Sequence, residues 1–111
     1  MRISLTKWAE KNYRSIKDYI INEWGERVAD AFEQKTVDFL DILEDFPEIG
    51  VIEVSEKMIR GFQLTKQTRV FYRIKGERII ILTFFDVRQN PKKKPRWKPT
   101  SHNNSYEPLL F

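Results

Sequence analysis

The sequence predicts an α+β fold in which an N-terminal helical hairpin packs on one face of a small, mainly antiparallel sheet. Two long amphipathic segments with a single glycine between them fill the first half of the chain. Three short segments rich in β-branched and aromatic residues follow in the second half, separated by turns of about three residues. Strands joined by such short turns pair antiparallel. The 111 residues suit one domain with one core.

The hairpin is predicted from helix caps and periodicity. Thr6 suits the N-cap of a helix over Lys7–Trp24, and Gly25 ends this helix because glycine tolerates the left-handed conformation. A second helix ends before Pro47, since proline disfavours helical geometry in the residue before it. Its apolar residues recur at three- and four-residue spacing: Val28, Phe32, Phe39, Leu40 and Leu43. Residues 2–5 form a candidate edge strand.

The sheet is predicted from residues 58–64, 68–74 and 78–85. Side chains alternate between the two faces of a strand, so the middle strand has two different sides. Val70, Tyr72 and Ile74 should face the helices. Arg69, Phe71 and Arg73 should lie on the opposite face, which we expect to be open and positive. The third strand is apolar on both faces, as is typical of an interior strand. We therefore predict one core that contains Val70, Tyr72, Phe32 and Leu40.

The net charge of +4 is distributed unevenly along the chain. Residues 1–47 carry a net charge of −3, residues 48–87 one of +2 and residues 88–111 one of +5. Basic clustering is the footprint expected of a protein that binds a polyanion, although a basic tail can also serve solubility alone. Because prolines recur there, residues 95–111 are interpreted as a flexible, basic tail after a domain over residues 1–94.

Several function classes are disfavoured by composition. The chain has no cysteine, which fits a reducing compartment. No apolar run resembles a signal peptide or a membrane span, so we expect a cytoplasmic protein without membrane contact. One histidine and scattered carboxylates make no metal-ligand set. We expect no cofactor and no small-molecule substrate.

Three short sequence segments resemble those of the RelE/ParE toxin superfamily, and the resemblance is closer to ParE-like members. Residues 43–50 (LEDFPEIG) look like the exit of the second helix in ParE-like members. Residues 69–74 (RVFYRI) look like the family's central strand, and residues 79–91 look like its last strand with the arginine that follows. The order of helix, helix, three-stranded meander and basic end agrees, and the resemblance covers about residues 1–94.

This resemblance implies a toxin of a type II toxin–antitoxin system, associated with plasmid stabilisation and growth arrest. A cognate antitoxin would neutralise it, folding a disordered segment over surplus apolar residues such as Trp24, Ile21 and Phe62. ParE-like members poison DNA gyrase, whereas RelE-like members cut mRNA on the ribosome. A non-toxic, basic nucleic-acid-binding accessory protein is the alternative class.

The candidate site residues are basic. Arg69 and Arg88 match the arginines of the RelE pattern and are the candidates for a catalytic role, should the chain be an endoribonuclease. The predicted target-binding set is Arg60, Lys66, Arg69, Arg73, Arg88 and Lys92. Cleavage of mRNA also needs a group with a tunable pKa. The family's tyrosine position holds Lys94, and the only histidine, His102, lies in the tail. This departure favours ParE-like action on gyrase, and whether the chain is an enzyme stays open.

Overall fold

A computed structural model describes residues 1–89 and confirms the predicted α+β architecture. A helical hairpin packs on a five-stranded sheet with the strand order β1-β5-β4-β3-β2. The elements along the chain are β1 (Arg2–Leu5), α1 (Lys7–Trp24), α2 (Glu26–Asp45), β2 (Val51–Val54), a short 3-10 turn (Ser55–Lys57), β3 (Ile59–Gln63), β4 (Thr68–Lys75) and β5 (Arg78–Asp86). The predicted tail over residues 95–111, together with Lys92, Lys94 and His102, lies outside the described residues.

Local chemistry explains where the two helices begin and end. The Thr6 hydroxyl accepts a hydrogen bond from the Ala9 amide at 2.9 Å, which caps α1. Gly25, with φ +90°, is the whole connection between α1 and α2. Its amide donates to the Ile21 carbonyl at 2.9 Å. The predicted bounds of α1 and the end of α2 before Pro47 are confirmed.

The sheet is antiparallel except at one edge. β2, β3, β4 and β5 pair antiparallel in chain order, and β1 pairs parallel with β5. The predicted strands are confirmed to within a residue or two, and β1 is an edge strand as expected. β5 lies between β1 and β4, which agrees with its apolar residues on both faces.

β2 is a strand that the sequence did not predict. It has only four residues, forms the other edge of the sheet and pairs with β3 alone. Its pairing register shifts between Ile52 and Val54, so Glu53 is the extra residue of a β-bulge. So short an irregular segment lacks the alternation by which a strand is recognised in a sequence.

The helices and one sheet face enclose the main core, and we call this side of the sheet the helix face. Val70, Tyr72 and Phe32 are buried there, and Leu40 packs against them half-buried, as predicted. The other buried members are Ala9, Ile16, Ile20, Ala29, Phe39, Leu43, Leu64, Ile79, Ile81 and Phe84. Val28, expected on the buried stripe of α2, is 42% exposed. The apolar stripe of α2 is wider than the part of the helix that packs on the sheet.

Tyr72 connects the helix face to the end of the hairpin. Its hydroxyl donates to the Pro47 carbonyl at 2.7 Å and accepts from the Gly50 amide at 2.8 Å. A Cβ on Gly50 would lie 2.7 Å from the Tyr72 ring, so a glycine is needed at this approach. Tyr72 therefore has the structural role that was predicted. Its buried hydroxyl also joins β4 to the turn after α2.

Candidate target-binding surface

The predicted basic residues lie in different parts of the sheet. Arg69 pairs across from Phe85 and Arg73 from Ile80. Directly opposite residues share a face, and Phe85 and Ile80 pack in a cluster separate from the main core. We call the side that carries this cluster the far face. Both arginines therefore lie on the sheet face away from the helices, as predicted.

Arg69 is held by an ion pair that spans three strands. Its guanidinium donates to the Glu53 carboxylate on β2 and, at 3.0 Å, to the Gln63 side chain on β3. The pair passes over Gly61, where an added Cβ would collide with the Glu53 carboxylate and lie 2.9 Å from Arg69 Nε. The Arg69 guanidinium also lies 5.9 Å from the centre of the Phe71 ring. Gly61 therefore makes room for a cation fixed flat on the far face.

Arg60, a member of the predicted target-binding set, lies on the other face of the sheet from Arg69 and Arg73. Its register partner on β4 is Tyr72, which faces the helices, so Arg60 belongs to the helix face. Its guanidinium donates to the carbonyls of Gly50 at 2.8 Å and Glu48 at 3.3 Å. Arg60 thus holds the turn after α2 in place through these two hydrogen bonds. The sequence shows that Arg60 is charged, but the face on which it lies depends on the pairing register of β3 with β4.

Arg88 is fixed by a buried carboxylate at the end of β5. Asp86, whose side chain is fully buried, accepts from Arg88 Nε at 3.0 Å and from its terminal nitrogen at 2.7 Å. Asp86 also accepts from the Thr68 hydroxyl at 2.5 Å and from the Arg88 amide at 2.8 Å. The guanidinium lies over the half-exposed Trp24 ring at 5.2 Å. Trp24, the last residue of α1, therefore supports Arg88 and stays half-exposed.

Three of the basic residues share one end of the sheet. Lys66 is exposed in the β3–β4 turn, and the Val87 amide donates to the carbonyl of the neighbouring Gln67 at 3.0 Å. This bond places the turn beside the residues that lead to Arg88, and Arg69 follows directly after Thr68 on β4. Lys66, Arg69 and Arg88 form what we call the basic end. Arg73 lies toward the opposite end of β4, opposite Ile80.

The far face is not the open surface that the alternation of β4 predicted. Phe71, expected in solvent between the two arginines, is only 1% exposed. Val54, Ile59 and Leu82 are buried with it, and Ile80 and Phe85 pack against them. The far face thus has an apolar centre flanked by cations. The residues were visible in the sequence, but their assembly depends on β2 and on the bulge that shifts the β4–β5 register after Phe71.

The protonation chemistry of the site is restricted. Burial by itself raises the pKa of the Asp86 carboxyl, but hydrogen bonds from Arg88 and Thr68 outweigh it and lower that pKa below its ordinary value. The hydrogen bond to Asp86 raises the pKa of Arg88. Burial raises the pKa of Tyr72, whose hydroxyl is already used by two backbone groups. None of these groups is poised to exchange a proton near neutral pH.

Glu53, Gly61 and Asp86 are the residues that sequence reasoning missed. Asp86 stands two residues before Arg88, and this spacing at a strand end was the one signal available for it. Glu53 carries no such signal, because its position depends on a bulge in a strand that was not predicted. Within residues 1–89, no three acidic or histidine side chains cluster in a way that could hold a metal ion. No helix of that part is long and apolar enough to cross a membrane.

Two solved structures share this fold. A chain from the chromosomal ParDE TA system of P. aeruginosa aligns with a TM-score of 0.65 and 24% sequence identity, over 78% of this chain and 95% of that chain. The YoeB/ParE toxin from Agrobacterium tumefaciens aligns with a TM-score of 0.55 and 14% identity, over 78% of this chain and 98% of that chain. At these identities the likeness shows the fold. No curated protein compared with the chain matches it.

The family follows from the sequence itself. The family model described as the ParE toxin of the type II toxin–antitoxin system parDE matches residues 3–91. The chain belongs to this ParE toxin family. It is therefore the toxin component of a type II toxin–antitoxin system, with a cognate antitoxin as its partner, and the predicted resemblance to ParE-like members is confirmed.

Proposed function

We propose that this protein is a cytoplasmic toxin that arrests growth by ParE-like action on DNA gyrase, using the basic end as part of its target-binding surface. One observation carries the choice of target: the carboxylates beside Arg69 and Arg88 are both engaged in ion pairs with them. In this arrangement the arginines can bind anions, but they have no acid–base partner for cleaving RNA among residues 1–89.

Exposure supports the basic end as the contact surface. Lys66 is exposed, and Arg69 and Arg88 keep 25% and 21% of their side-chain surfaces accessible. Their carboxylate partners are more deeply buried than they are, so the cations face outward from their ion pairs. Such preset guanidinium groups suit a phosphate backbone or an acidic patch of a protein, since little rotamer freedom remains to be lost on binding.

The target is tested by inducing the chain without antitoxin in bacteria. We expect growth arrest with gyrase-dependent DNA breaks and intact mRNA. In the same assay, Lys66→Ala with Arg69→Ala should reduce the breaks at least tenfold, whereas Lys35→Ala, which removes an exposed lysine of α2, should not. Arg88 is best replaced by lysine, because alanine would leave the buried Asp86 without its cation.

Other outcomes of this assay contradict the proposal in distinct ways. Cleaved mRNA on ribosomes, with no DNA breaks, would indicate the RelE-like endonuclease. An absence of growth arrest in a folded wild-type chain would favour the non-toxic accessory protein. A wild-type level of gyrase-dependent breaks in the Lys66/Arg69 double variant would show that the basic end is not the target-binding surface.

We further propose that the antitoxin covers the edge of the sheet at β2. Ile21 and Phe62, expected to be surplus to the core, are packed against it instead. Large exposed apolar residues lie elsewhere, before, within and after β2: Phe46, Ile49, Val51, Ile52 and Met58. An edge strand with apolar flanks can take an added strand or an amphipathic helix.

Measuring antitoxin binding to surface variants tests directly whether the antitoxin covers the β2 edge. The variant Val51→Lys should weaken binding of the co-expressed antitoxin by at least tenfold in a titration, since Val51 is 66% exposed and not needed by the core. Val87→Lys, at a 45% exposed position beyond β5, is the matched control. Equal loss in both variants would contradict the assignment of the antitoxin to β2.

A further inference from the structure

We propose that Trp24 is the aromatic anchor of the basic end, and that the surface around it binds an acidic patch of a folded protein and not a nucleic acid. Trp24 is the last residue of α1 and is 51% exposed. The inference rests on the proposed function, because it takes the basic end to be the target-binding surface. It adds an aromatic residue to a predicted set that contained only cations.

The first argument is that the Trp24 ring is exposed but held in place. The Arg88 guanidinium lies over this ring at 5.2 Å from its centre. The Tyr19 ring lies edge to face with it, at 5.8 Å between ring centres and with the two planes 74° apart. Because both contacts restrict the indole, little conformational entropy remains to be lost when a partner covers it. Tryptophan, tyrosine and arginine are also the residues enriched at the hot spots of protein interfaces.

The second argument is that the cation beside Trp24 is fixed as well. The buried Asp86 carboxylate accepts two hydrogen bonds from the Arg88 guanidinium. The next residue, Gln89, donates from its side chain to the Ser15 hydroxyl at 2.7 Å and to the Ser15 carbonyl at 3.0 Å. The chain after β5 therefore lies along α1, and Trp24 and Arg88 present an apolar ring and a cation in one preset arrangement.

The third argument is that the corner of the hairpin leaves room for a partner. Gly25, with φ +90°, follows Trp24 directly. A Cβ added to Gly25 would have no heavy atom of residues 1–89 within 4 Å, apart from its neighbours in the chain. A side chain of a partner can therefore approach the indole from this corner without displacing any part of the described structure.

The charges around Trp24 favour a protein partner over a nucleic acid. Two exposed carboxylates adjoin it in the sequence, Glu23 before it and Glu26 two residues after it. A nucleic acid carries a phosphate at every nucleotide, so a strand stacked on Trp24 would bring phosphates near these carboxylates. An acidic patch on a protein has a limited extent and can face Arg88 alone. The surface thus suits a protein that offers carboxylates to Arg88 and an apolar pocket to the indole.

The position of Trp24 also separates it from the edge proposed for the antitoxin. Trp24 was expected among the apolar residues that the antitoxin covers. It lies instead beside Arg88 at the end of β5, whereas β2 is the edge strand three places away in the sheet. This separation is about 14 Å at the usual spacing of strands. We therefore assign Trp24 to the target.

The experiment titrates the full chain against purified gyrase without DNA and, separately, against a DNA duplex alone. Trp24→Ala should weaken binding to gyrase about tenfold, because an anchoring indole is lost. Trp24→Phe keeps a ring beside Arg88 and should restore most of the affinity, which a general loss of stability would not explain. Trp8→Ala is the matched control, since Trp8 is a half-buried tryptophan of α1 with Lys11 Nζ 5.9 Å from its ring centre. It should leave binding unchanged.

The contrary results differ in what they overturn. Equal binding of gyrase by the wild type and by Trp24→Ala would overturn the anchor and leave the proposed function intact. Binding to the duplex alone, or to gyrase only when DNA is present, would make a nucleic acid the partner. A loss of antitoxin affinity in Trp24→Ala as large as the loss of gyrase affinity would assign Trp24 to the antitoxin. A wild-type chain that binds neither gyrase nor DNA, and breaks no DNA in cells, would contradict the proposed function and this inference with it.

Discussion

The two faces of the sheet are buried by different means. On the helix face, side chains of α1 and α2 interlock with Ile79, Ile81 and Phe84 of β5, and an aromatic stack of Phe39 on Phe62 extends the core. On the far face, the cluster consists of strand residues bordered by arginines. The helix face therefore stabilises the fold. The far face combines an apolar centre with cations, a combination that recurs at binding surfaces.

The two ion pairs of the sheet also differ in how deeply they are buried. The Glu53–Arg69 pair keeps 17% and 25% of its side-chain surfaces accessible, whereas the Asp86 side chain has no accessible surface. A partly exposed pair is screened by water and contributes little to stability. A buried carboxylate depends on its donors, because its charge is otherwise left without solvation.

The largest expected effect compares two neighbours on β5. Ile81→Ala removes a fully buried side chain of the helix face and should cost about 3–4 kcal/mol of unfolding free energy. Leu82→Ala, in the smaller cluster of the far face, should cost about 2 kcal/mol, because fewer buried side chains surround the cavity that it leaves. Denaturant unfolding of both variants measures the difference.

Asp86→Asn should have the next largest effect, about 2–3 kcal/mol at neutral pH, because it weakens charge-assisted hydrogen bonds to a buried group. The folded state lowers the pKa of Asp86 below its ordinary 3.8. The group therefore contributes stability above its unfolded pKa, and this contribution is lost as the pH falls through the folded pKa. The stability gap between the wild type and Asp86→Asn should narrow below pH 3.8. A gap that widens in acid would contradict this account.

Gly50→Ala should cost about 2 kcal/mol, because its Cβ would collide with the rigidly packed Tyr72 ring. Tyr72 cannot move aside without breaking its hydrogen bonds to Pro47 and Gly50. Thermal unfolding measures the loss. Tyr72→Phe with Gly50→Ala should cost less than the sum of the two single changes, since the first removes the hydroxyl that the new methyl would meet; strict additivity would rule out this contact as the cause.

Gly61→Ala should have the smallest effect on stability, below about 1 kcal/mol, because its Cβ would meet the ends of the Glu53 and Arg69 side chains, which can move. Both Gly61→Ala and Glu53→Gln should nevertheless release Arg69 from its fixed position. Under the proposed function, they should reduce target binding more than they reduce stability, measured by gyrase inhibition beside thermal unfolding. A loss of several kcal/mol in either variant would show that the far face is a structural core.

The sequence by itself determined the fold class, the bounds of α1 and the two faces of β4. These features follow from local patterns: the cap at Thr6, the glycine between the helices, and the alternation of Val70 and Tyr72 with Arg69 and Arg73. The alternation also assigned Tyr72 to the core, although not the reason that its hydroxyl binds the turn after α2.

Only the tertiary structure decided which charges meet. The face of Arg60 depends on the β3–β4 register, and the position of Glu53 depends on a bulge in an edge strand too short to show a pattern. Asp86 binds Arg88, and the Arg88 guanidinium lies over the Trp24 ring, so the end of β5 meets the end of α1, residues more than 60 positions apart. Local propensity fixes each element because its causes lie within a few residues, whereas register and burial are set by contacts between elements distant in the chain.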